Sequence, residues 1–197
     1  HTVFESGAVL KMASNVALTV NTPITWGGTP FRPVVLTARD DPSLGQSITP
    51  TNALGGYYAA TALRITGGTT NTLALQNLRI AHAQTAISLD GGANHVIRHA
   101  QLVNCQRGIV ATNAEFSLRN ALFHNVLTNF SGSSSTGRVE HLTSDVASWL
   151  NNNLGTSLYL TNCILAGVTN LGSTAVTNSV ARVSPGDEVT ATLVAPD

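Results

Sequence analysis

Charged residues, lysine and long apolar runs are all scarce in this 197-residue chain. Only 10% of the residues are charged, the formal net charge is zero, and Lys11 is the only lysine. Proteins that bind duplex nucleic acid normally carry a dense basic surface, so this composition argues against nucleic acid as a partner. No apolar run approaches the roughly 18 residues of a membrane helix, so we expect no membrane span.

The residues that are present favour strands and tight turns. Hydrophobic residues make up 43% of the chain, which is enough for one domain with a sizeable core. Val, Ile and Thr are plentiful, whereas the helix formers Lys and Glu are rare. Polar positions are filled mainly by Asn, Thr, Ser, Gln and Gly, which suits a secreted or cell-surface protein. We therefore predict an all-β fold.

A repeat of about 21 residues runs through most of the chain. Its most regular feature is a polar residue that lies two positions after an aliphatic residue. These polar anchors are Asn77, His99, Asn120, His141, Asn162 and Asn178. The repeats end in turn-forming residues such as Gly91 and Gly92. A unit this short cannot bury its own apolar face, so successive units must stack.

Two solenoid folds have a period of this length. A leucine-rich repeat places Asn three positions after a leucine, whereas the anchors here come two positions after the aliphatic residue. A right-handed parallel β-helix stacks like residues in columns about 4.8 Å apart, and this pattern fits. We therefore predict an all-β, right-handed parallel β-helix. Its six anchors would form a structural ladder, in which each amide bonds to the next coil at a bend that Asn tolerates.

The chain reads as a single domain over residues 1–197. We expect the first coils at 1–39, a protruding loop at 40–58, regular coils at 59–183 and a C-terminal tail at 184–197. The stretch VTATLV in the tail has the composition of a last strand. Neither end shows an amphipathic cap helix, which suggests a piece of a longer solenoid.

The first half of the chain also contains one segment of the form G-T-x-x-x-P-V-x-x-T that is followed by D-D-x-x-x-G. The positions that match it are Gly28, Thr29, Pro33, Val34, Thr37, Asp40, Asp41 and Gly45. In this respect the chain resembles the bacterial right-handed parallel β-helix repeat proteins of the pectate-lyase-like superfamily. The resemblance implies a secreted or surface module, and it implies little about activity.

Acidic residues are too sparse to predict a catalytic pair. Glycoside hydrolysis needs two carboxylates about 5 to 9.5 Å apart. The regular coils carry Asp90, Glu115, Glu140 and Asp145, without an obvious facing pair. Asp40 and Asp41 look like the paired aspartates of polygalacturonases, but the N-T-D, G-H-G and R-I-K companion motifs are absent. We predict no catalytic residue, and a weak calcium site at this loop pair is the only cofactor we consider.

The coil spacing predicts which histidine and cysteine side chains lie close to a partner. His124 and Asp145 occupy equivalent positions on consecutive coils, so we expect them to lie about 5 Å apart and form a hydrogen-bonded pair. His99 and His141 lie two coils apart, near 10 Å, which is too far to bind one metal directly. Cys105 and Cys163 fall on distant coils, so both should be free thiols, and Cys163 should be buried.

An outward column of polar residues lies immediately before the anchors. It places Arg98 beside Arg119 and puts Glu140 next to Arg119. The simpler interpretation is a solvated ladder. In the alternative, Arg79 on the next strand completes an anion strip for uronate or sulfate groups, because the guanidinium fork binds a carboxylate through two parallel hydrogen bonds.

The sequence thus favours a non-catalytic structural or adhesive extracellular module. Its partners would be like chains, through coil stacking or through lateral packing at outward apolar residues such as Leu122 and Ile164. The alternative is a carbohydrate-active module that binds or cleaves an acidic polysaccharide on its outer face, as a polysaccharide lyase or glycoside hydrolase if it is an enzyme.

Overall fold

The structure is a computed structural model that describes residues 2–21, 23–46, 48, 54–66, 74–152, 155–172, 174–176, 180–183 and 192–194. Within these ranges the chain forms strands and turns and no helix. The strands are β1 (Thr2–Phe4), β2 (Val9–Met12), β3 (Ala17–Val20), β4 (Ile24–Trp26), β5 (Val34–Ala38), β6 (Thr61–Thr66), β7 (Ala74–Ala81), β8 (Thr85–Asp90), β9 (His95–Thr112), β10 (Glu115–Ser133), β11 (Ser135–Asn151), β12 (Thr156–Thr161), β13 (Cys163–Asn170), β14 (Thr174–Val176), β15 (Val180–Val183) and β16 (Thr192–Val194).

The strands stack as successive coils of a parallel β-solenoid of about 7 turns, with coils about 21 residues apart. In the regular part, His95 pairs with Phe116 and Phe116 pairs with Gly137. The pairing between β9, β10 and β11 is parallel throughout. The predicted all-β parallel β-helix and its repeat length are confirmed.

Left-handed residues divide each coil into straight segments. Five residues at the first bend have positive φ, namely Asn77, His99, Asn120, His141 and Asn162. A second bend follows five positions later in each coil, at His82, Asn104, Asn125, Val146 and Gly167. The long strands β9, β10 and β11 each cross both bends. Each of these coils therefore has a first segment before the first bend, a second segment between the bends and a third segment after them.

The core is a stack of apolar columns inside the coils. One buried column comes from the first segment and contains Leu75, Ile97, Leu118, Val139 and Leu160. Another comes from the second segment and contains Ile80, Leu102, Phe123, Ser144 and Leu165. Burying a large apolar side chain stabilises a fold by about 1.5–3 kcal/mol, so these columns supply much of the driving force for stacking. Ser144 is the polar exception, and its hydroxyl accepts a hydrogen bond from buried Asn129.

The described ends of the predicted 40–58 loop are tied to the body of the solenoid. Lys11 Nζ donates to the backbone carbonyls of Asp41 and Gln46, and Tyr58 is buried. In the predicted tail, the described strand β16 pairs antiparallel with β15. The division at these boundaries stays a prediction.

Candidate functional site

The predicted anchor ladder is a column of left-handed backbone. Its five described members have φ between 53° and 55°, whereas Asn178 lies outside the described residues. Non-glycine residues rarely adopt this conformation, and Asn and His are among those that tolerate it best. The anchor column therefore serves the shape of the coil through its backbone.

The side chains of this column do not form the expected ladder of hydrogen bonds. Asn77 is buried and donates from Nδ2 to the carbonyl of Gly28 at 3.1 Å. From His99 to Asn162 the side chains are exposed, and the structure shows no hydrogen bond between them. A bond between stacked amides is found instead at the second bend, where Asn125 Nδ2 donates to Asn104 Oδ1 at 2.9 Å. The predicted hydrogen bond between stacked amides therefore occurs at the second bend and not at the first, because side chains at the first bend lie on an outer corner.

A groove of about 510 Å³ follows the first bend along the outside of the solenoid. We call it the bend groove. It is lined by four anchors, by neighbouring residues of the second segment and by two prolines, namely Pro30, Pro33, Asn77, Leu78, Arg79, His99, Ala100, Gln101, Asn120, Ala121, Leu122 and His141. From Asn77 to His141 it covers three coil steps, or about 14 Å.

Arg79 supplies the one guanidinium among the described residues that line the bend groove. It is paired in register with buried Val35 on one side and with exposed Gln101 on the other. Its Nε is buried and has no hydrogen-bond partner among the described residues. Burial of an N–H group without an acceptor is unfavourable and rare in folded proteins. A hydrogen-bond acceptor is therefore expected for this atom.

A tight turn beside the bend groove presents an aromatic side chain to solvent. The backbone groups of Thr29 and Arg32 exchange two hydrogen bonds of 3.1 Å, and Gly7 N also donates to the carbonyl of Arg32. Phe31 at the tip of this turn is 95% exposed. It lies between the two prolines that line the groove. The turn is therefore pinned at its base, and Phe31 is held away from the core.

Arg98 and Arg119 lie on a different face from Arg79. They are in register on the outer side of the first segment, and Arg119 forms an ion pair with Glu140, its partner on the next coil. Arg138 lies on the same side, with its guanidinium 5.5 Å from the ring centre of Tyr159. The expected stacking of Arg98, Arg119 and Glu140 is present, but the first bend separates it from Arg79. The structure does not bring the three predicted arginines into one strip.

Asp40 and Asp41 are both buried, and protein donors occupy their carboxylates. Asp40 accepts from Arg39 Nε at 3.2 Å and from the Tyr58 hydroxyl at 3.0 Å. Asp41 accepts from the Thr37 hydroxyl at 2.6 Å and from both the backbone and the hydroxyl of Ser43. Within the described residues no group of three His, Cys, Asp or Glu side chains could hold a metal ion. Calcium binding at this pair stays a prediction.

Hydrogen bonds also determine the charge state of Asp41. Burial alone would raise its pKa, but the bonds from Thr37 and Ser43 lower it more, so the pKa lies below the ordinary value. The carboxylate is therefore stabilised in its ionised form, as expected for an acid that closes a turn. Through these hydrogen bonds, the two aspartates fix the start of the loop that follows β5.

The predicted His124–Asp145 pair is present. His124 Nδ1 and Asp145 Oδ2 are 2.8 Å apart, and both side chains are about half exposed. Asp145 immediately precedes Val146, which is left-handed with φ of 57°. The pair is a contact at the surface that links two consecutive coils.

Both cysteines are free thiols and Cys163 is buried, as predicted, and Cys105 is buried as well. Burial raises the pKa of Cys105 to about 11 and also raises the pKa of Cys163. A thiol with so high a pKa is protonated at neutral pH and is a poor nucleophile. The cysteines therefore belong to the core.

Sequence reasoning missed the second-bend column, the bend groove and the exposed aromatic turn. The second bend carries a signal in the sequence, because His82, Asn104 and Asn125 repeat at the same spacing as the anchors. The exposure of Phe31 carries none that distinguishes it from a core aromatic residue. No described helix is long and apolar enough to cross a membrane.

Comparison of the chain with protein-family models, with curated proteins and with solved structures finds no match.

Proposed function

We propose that this chain is a non-catalytic structural or adhesive module of a secreted or cell-surface protein. One observation carries the proposal. The outward column of the second segment runs in register through Gln101, Leu122, Thr143 and Ile164. Leu122 is 39% exposed and Ile164 is 47% exposed. Exposed apolar side chains at regular spacing on a filled, rigid rod suit lateral packing against a second rod.

Three of the four acidic residues of the regular coils support a non-catalytic role. Asp90 pairs with Arg64 at 2.6 Å, Glu140 pairs with Arg119, and Asp145 pairs with His124. Each of these carboxylates thus faces a basic side chain and not another acid. The paired carboxylates of a glycoside hydrolase require the opposite arrangement.

The finer family assignment is also part of the proposal. The stacked coils of about 21 residues support membership of the bacterial right-handed parallel β-helix repeat proteins, in the pectate-lyase-like superfamily. Such a protein would act outside the cell, which agrees with the low charge and the Asn- and Thr-rich surface.

Sedimentation velocity over a range of protein concentrations tests lateral packing. We expect the wild-type chain to associate with rising concentration, and we expect Leu122→Thr/Ile164→Thr to remain monomeric. Val16→Thr is the matched control, because Val16 is also 39% exposed but lies in the first coils. If all three proteins sediment alike, the apolar column has no role in association.

A second function is favoured by the in-register stacking of Arg98 and Arg119. We propose, as the alternative, that the outer face binds an acidic polysaccharide. Two adjacent guanidiniums repel each other unless anions compensate them, and Glu140 is ion-paired with only one of the two. Titration with acidic and neutral polysaccharides should show binding confined to the acidic chains. Binding that survives in Arg98→Ala/Arg119→Ala would contradict a role for this face.

A further inference from the structure

We propose that the partner in lateral packing is a second copy of this chain, placed antiparallel to the first about a twofold axis. The inference rests on the proposed structural function and adds the partner, its direction and its register. The contact surface consists of the outward column of the second segment and the turn that carries Phe31. A twofold axis brings one end of such a surface against the other end of its copy, so the two ends must be complementary.

The turn of Phe31 stands at one end of this surface, one coil before Arg79. Strand β5 begins directly after the turn, and its Val35 is the in-register partner of Arg79. The two prolines of the turn line the bend groove together with Arg79, so the turn borders the outward column. Five coil steps of about 4.8 Å separate the level of Val35 from the level of Ile164, which makes the surface about 24 Å long.

Apolar side chains lie at both ends of the surface. Phe31 is 95% exposed on a turn that backbone hydrogen bonds hold in place, and Ile164 at the other end is 47% exposed. An antiparallel twofold arrangement inverts the order of the coils but keeps the first bends of both copies on the same side. Phe31 of each copy then packs against Ile164 of the other, and Leu122 packs near the centre. The contact of the aromatic ring forms twice in one dimer, which doubles the apolar surface it removes from water.

Arg79 determines the direction of packing. In the antiparallel register it faces Thr143 of the second copy, whose hydroxyl can accept a hydrogen bond. The Nε of Arg79 has no acceptor among the described residues, so this guanidinium has a donor to spare. The two Arg79 side chains then lie three coil steps, or about 14 Å, apart, which exceeds the Debye length of roughly 8 Å. In a parallel arrangement Arg79 would face Arg79, and the like charges would repel each other.

The size of the surface predicts a weak dimer. The second segment is about five residues, or about 16 Å, across, so a strip about 24 Å long has a flat area of roughly 400 Å². Stable complexes of standard size bury about 800 Å² on each partner. We therefore expect a dimer that forms with rising concentration, and the twofold axis closes the interface so that association stops there.

A charge substitution on the outward column tests the direction. Thr143→Glu should tighten the dimer about threefold or more, because each introduced carboxylate faces Arg79 of the other copy and the ion pair forms twice. The same substitution should weaken a parallel dimer, in which the two introduced carboxylates face each other. Within one chain the two positions are about 14 Å apart, so an intramolecular ion pair does not explain a gain. Arg79→Gln combined with Thr143→Glu should abolish the gain.

Truncation of the aromatic side chain tests the role of the turn. Phe31→Ala should raise the dissociation constant of the dimer about tenfold or more, because the contact is lost twice. Trp149→Ala is the matched control, because Trp149 is an aromatic residue on the third segment with 37% exposure. It should leave the dissociation constant unchanged. Sedimentation velocity measures each variant and should show the dimer as the largest species.

Cross-linking with a short bismaleimide tests the register. Arg32→Cys places a thiol beside Phe31, and Ile164→Cys places one at the other end of the surface. We expect a cross-linked dimer in a mixture of the two variants and none with either variant alone, because equivalent positions lie about 24 Å apart in the antiparallel dimer. The wild-type chain is the control, since its Cys105 and Cys163 are buried.

The possible failures are distinguishable. If the wild-type chain stays monomeric at every concentration, lateral packing and the antiparallel dimer are both wrong. If the chain associates and Leu122→Thr/Ile164→Thr prevents it, but Ile164→Cys cross-links to itself and Thr143→Glu weakens association, lateral packing stands and the antiparallel register is wrong. Species larger than a dimer, or an unchanged dissociation constant in Phe31→Ala, would also overturn the twofold contact.

Discussion

At the two bends of the regular coils, the left-handed positions are occupied by Asn, His or Gly in every case but one. The exception is Val146 at the second bend, with φ of 57° and half of its side chain exposed. A β-branched residue is strained there, because its side chain crowds the backbone. Its neighbours in the same column are Asn125 and Gly167, which tolerate the conformation. The strain at Val146 is therefore a local property of one side chain.

Val146→Asn should stabilise the protein by about 1 kcal/mol, because Asn relieves part of a left-handed strain of roughly 1–2 kcal/mol. The new amide would also extend the stack of Asn104 and Asn125 by one coil. Chemical denaturation measures the change in unfolding free energy. The reciprocal change Asn125→Val should destabilise the protein, and a neutral or destabilising Val146→Asn would contradict the assignment of strain.

Substitutions of Asn120 distinguish a backbone role from a side-chain role at the first bend. Its side chain is exposed and its φ is 55°, so only its tolerance of the left-handed conformation should matter. Asn120→Ala should cost about 1 kcal/mol, whereas Asn120→Gly should lie close to wild type. If both variants were equally destabilised, a side-chain contact would have to replace the backbone explanation.

His82 gives a prediction about pH. Burial lowers the pKa of His82, Asp41 opposes this shift, and Arg79 adds to it. The folded state therefore binds its proton less readily than the unfolded state, whose pKa is near 6.5. The contribution of His82 to stability is present above that value and is lost as the pH falls through the folded pKa.

Between pH of about 7.5 and about 5, the unfolding free energy of the wild-type protein should fall as the pH falls. This dependence on pH should be weaker in His82→Asn. Asn tolerates the left-handed conformation at this position, so the coil is retained. His141→Asn makes the same change in the exposed first-bend column and serves as the control. An unchanged slope in His82→Asn would show that the half-buried imidazole does not contribute.

Neighbouring coils approach each other closely, and the contact at Gly132 is the clearest example. It is paired in register with Ala111, and a Cβ at this position would lie 1.7 Å from the Ala111 carbonyl oxygen. Its φ of 137° adds to the requirement for glycine. The third segments of β9 and β10 can therefore stay in register only if this side chain is absent.

Gly132→Ala should destabilise the protein by about 3 kcal/mol, because the two coils must move apart to admit the methyl group. Gly45→Ala is the control, since Gly45 also has positive φ but a Cβ there would meet no atom within 4 Å. The comparison of thermal unfolding for the two variants isolates the coil contact. Equal losses would mean that positive φ alone accounts for the effect.

At the scale of the whole molecule, the sequence predicts the repeat better than the surface. The anchors and the apolar columns around them repeat in the sequence, because every coil must bury the same positions. The bend groove depends on how the first bend turns Arg79 away from Arg98, and a spacing pattern does not contain that angle. The exposure of Phe31 also depends on tertiary contacts, because Arg32 must be bound by Gly7 from a distant part of the chain.

In-register stacking of the coils creates the bend groove, the Arg98–Arg119 face and the apolar column, so it is the central claim. A disulfide between introduced cysteines at Gln101 and Leu122 tests it directly, because these exposed residues are partners on adjacent strands. Parallel neighbours lie about 4.8 Å apart, within the range that a disulfide spans. The control pair, Gln101 and His124, lies two residues out of register.

Mass spectrometry of the oxidised, monomeric protein is the measurement. Stacking predicts an intramolecular disulfide in Gln101→Cys/Leu122→Cys, little or none in Gln101→Cys/His124→Cys, and free Cys105 and Cys163 in both. Efficient bridging of the Gln101–His124 pair, with none between 101 and 122, would contradict the register and every surface built on it.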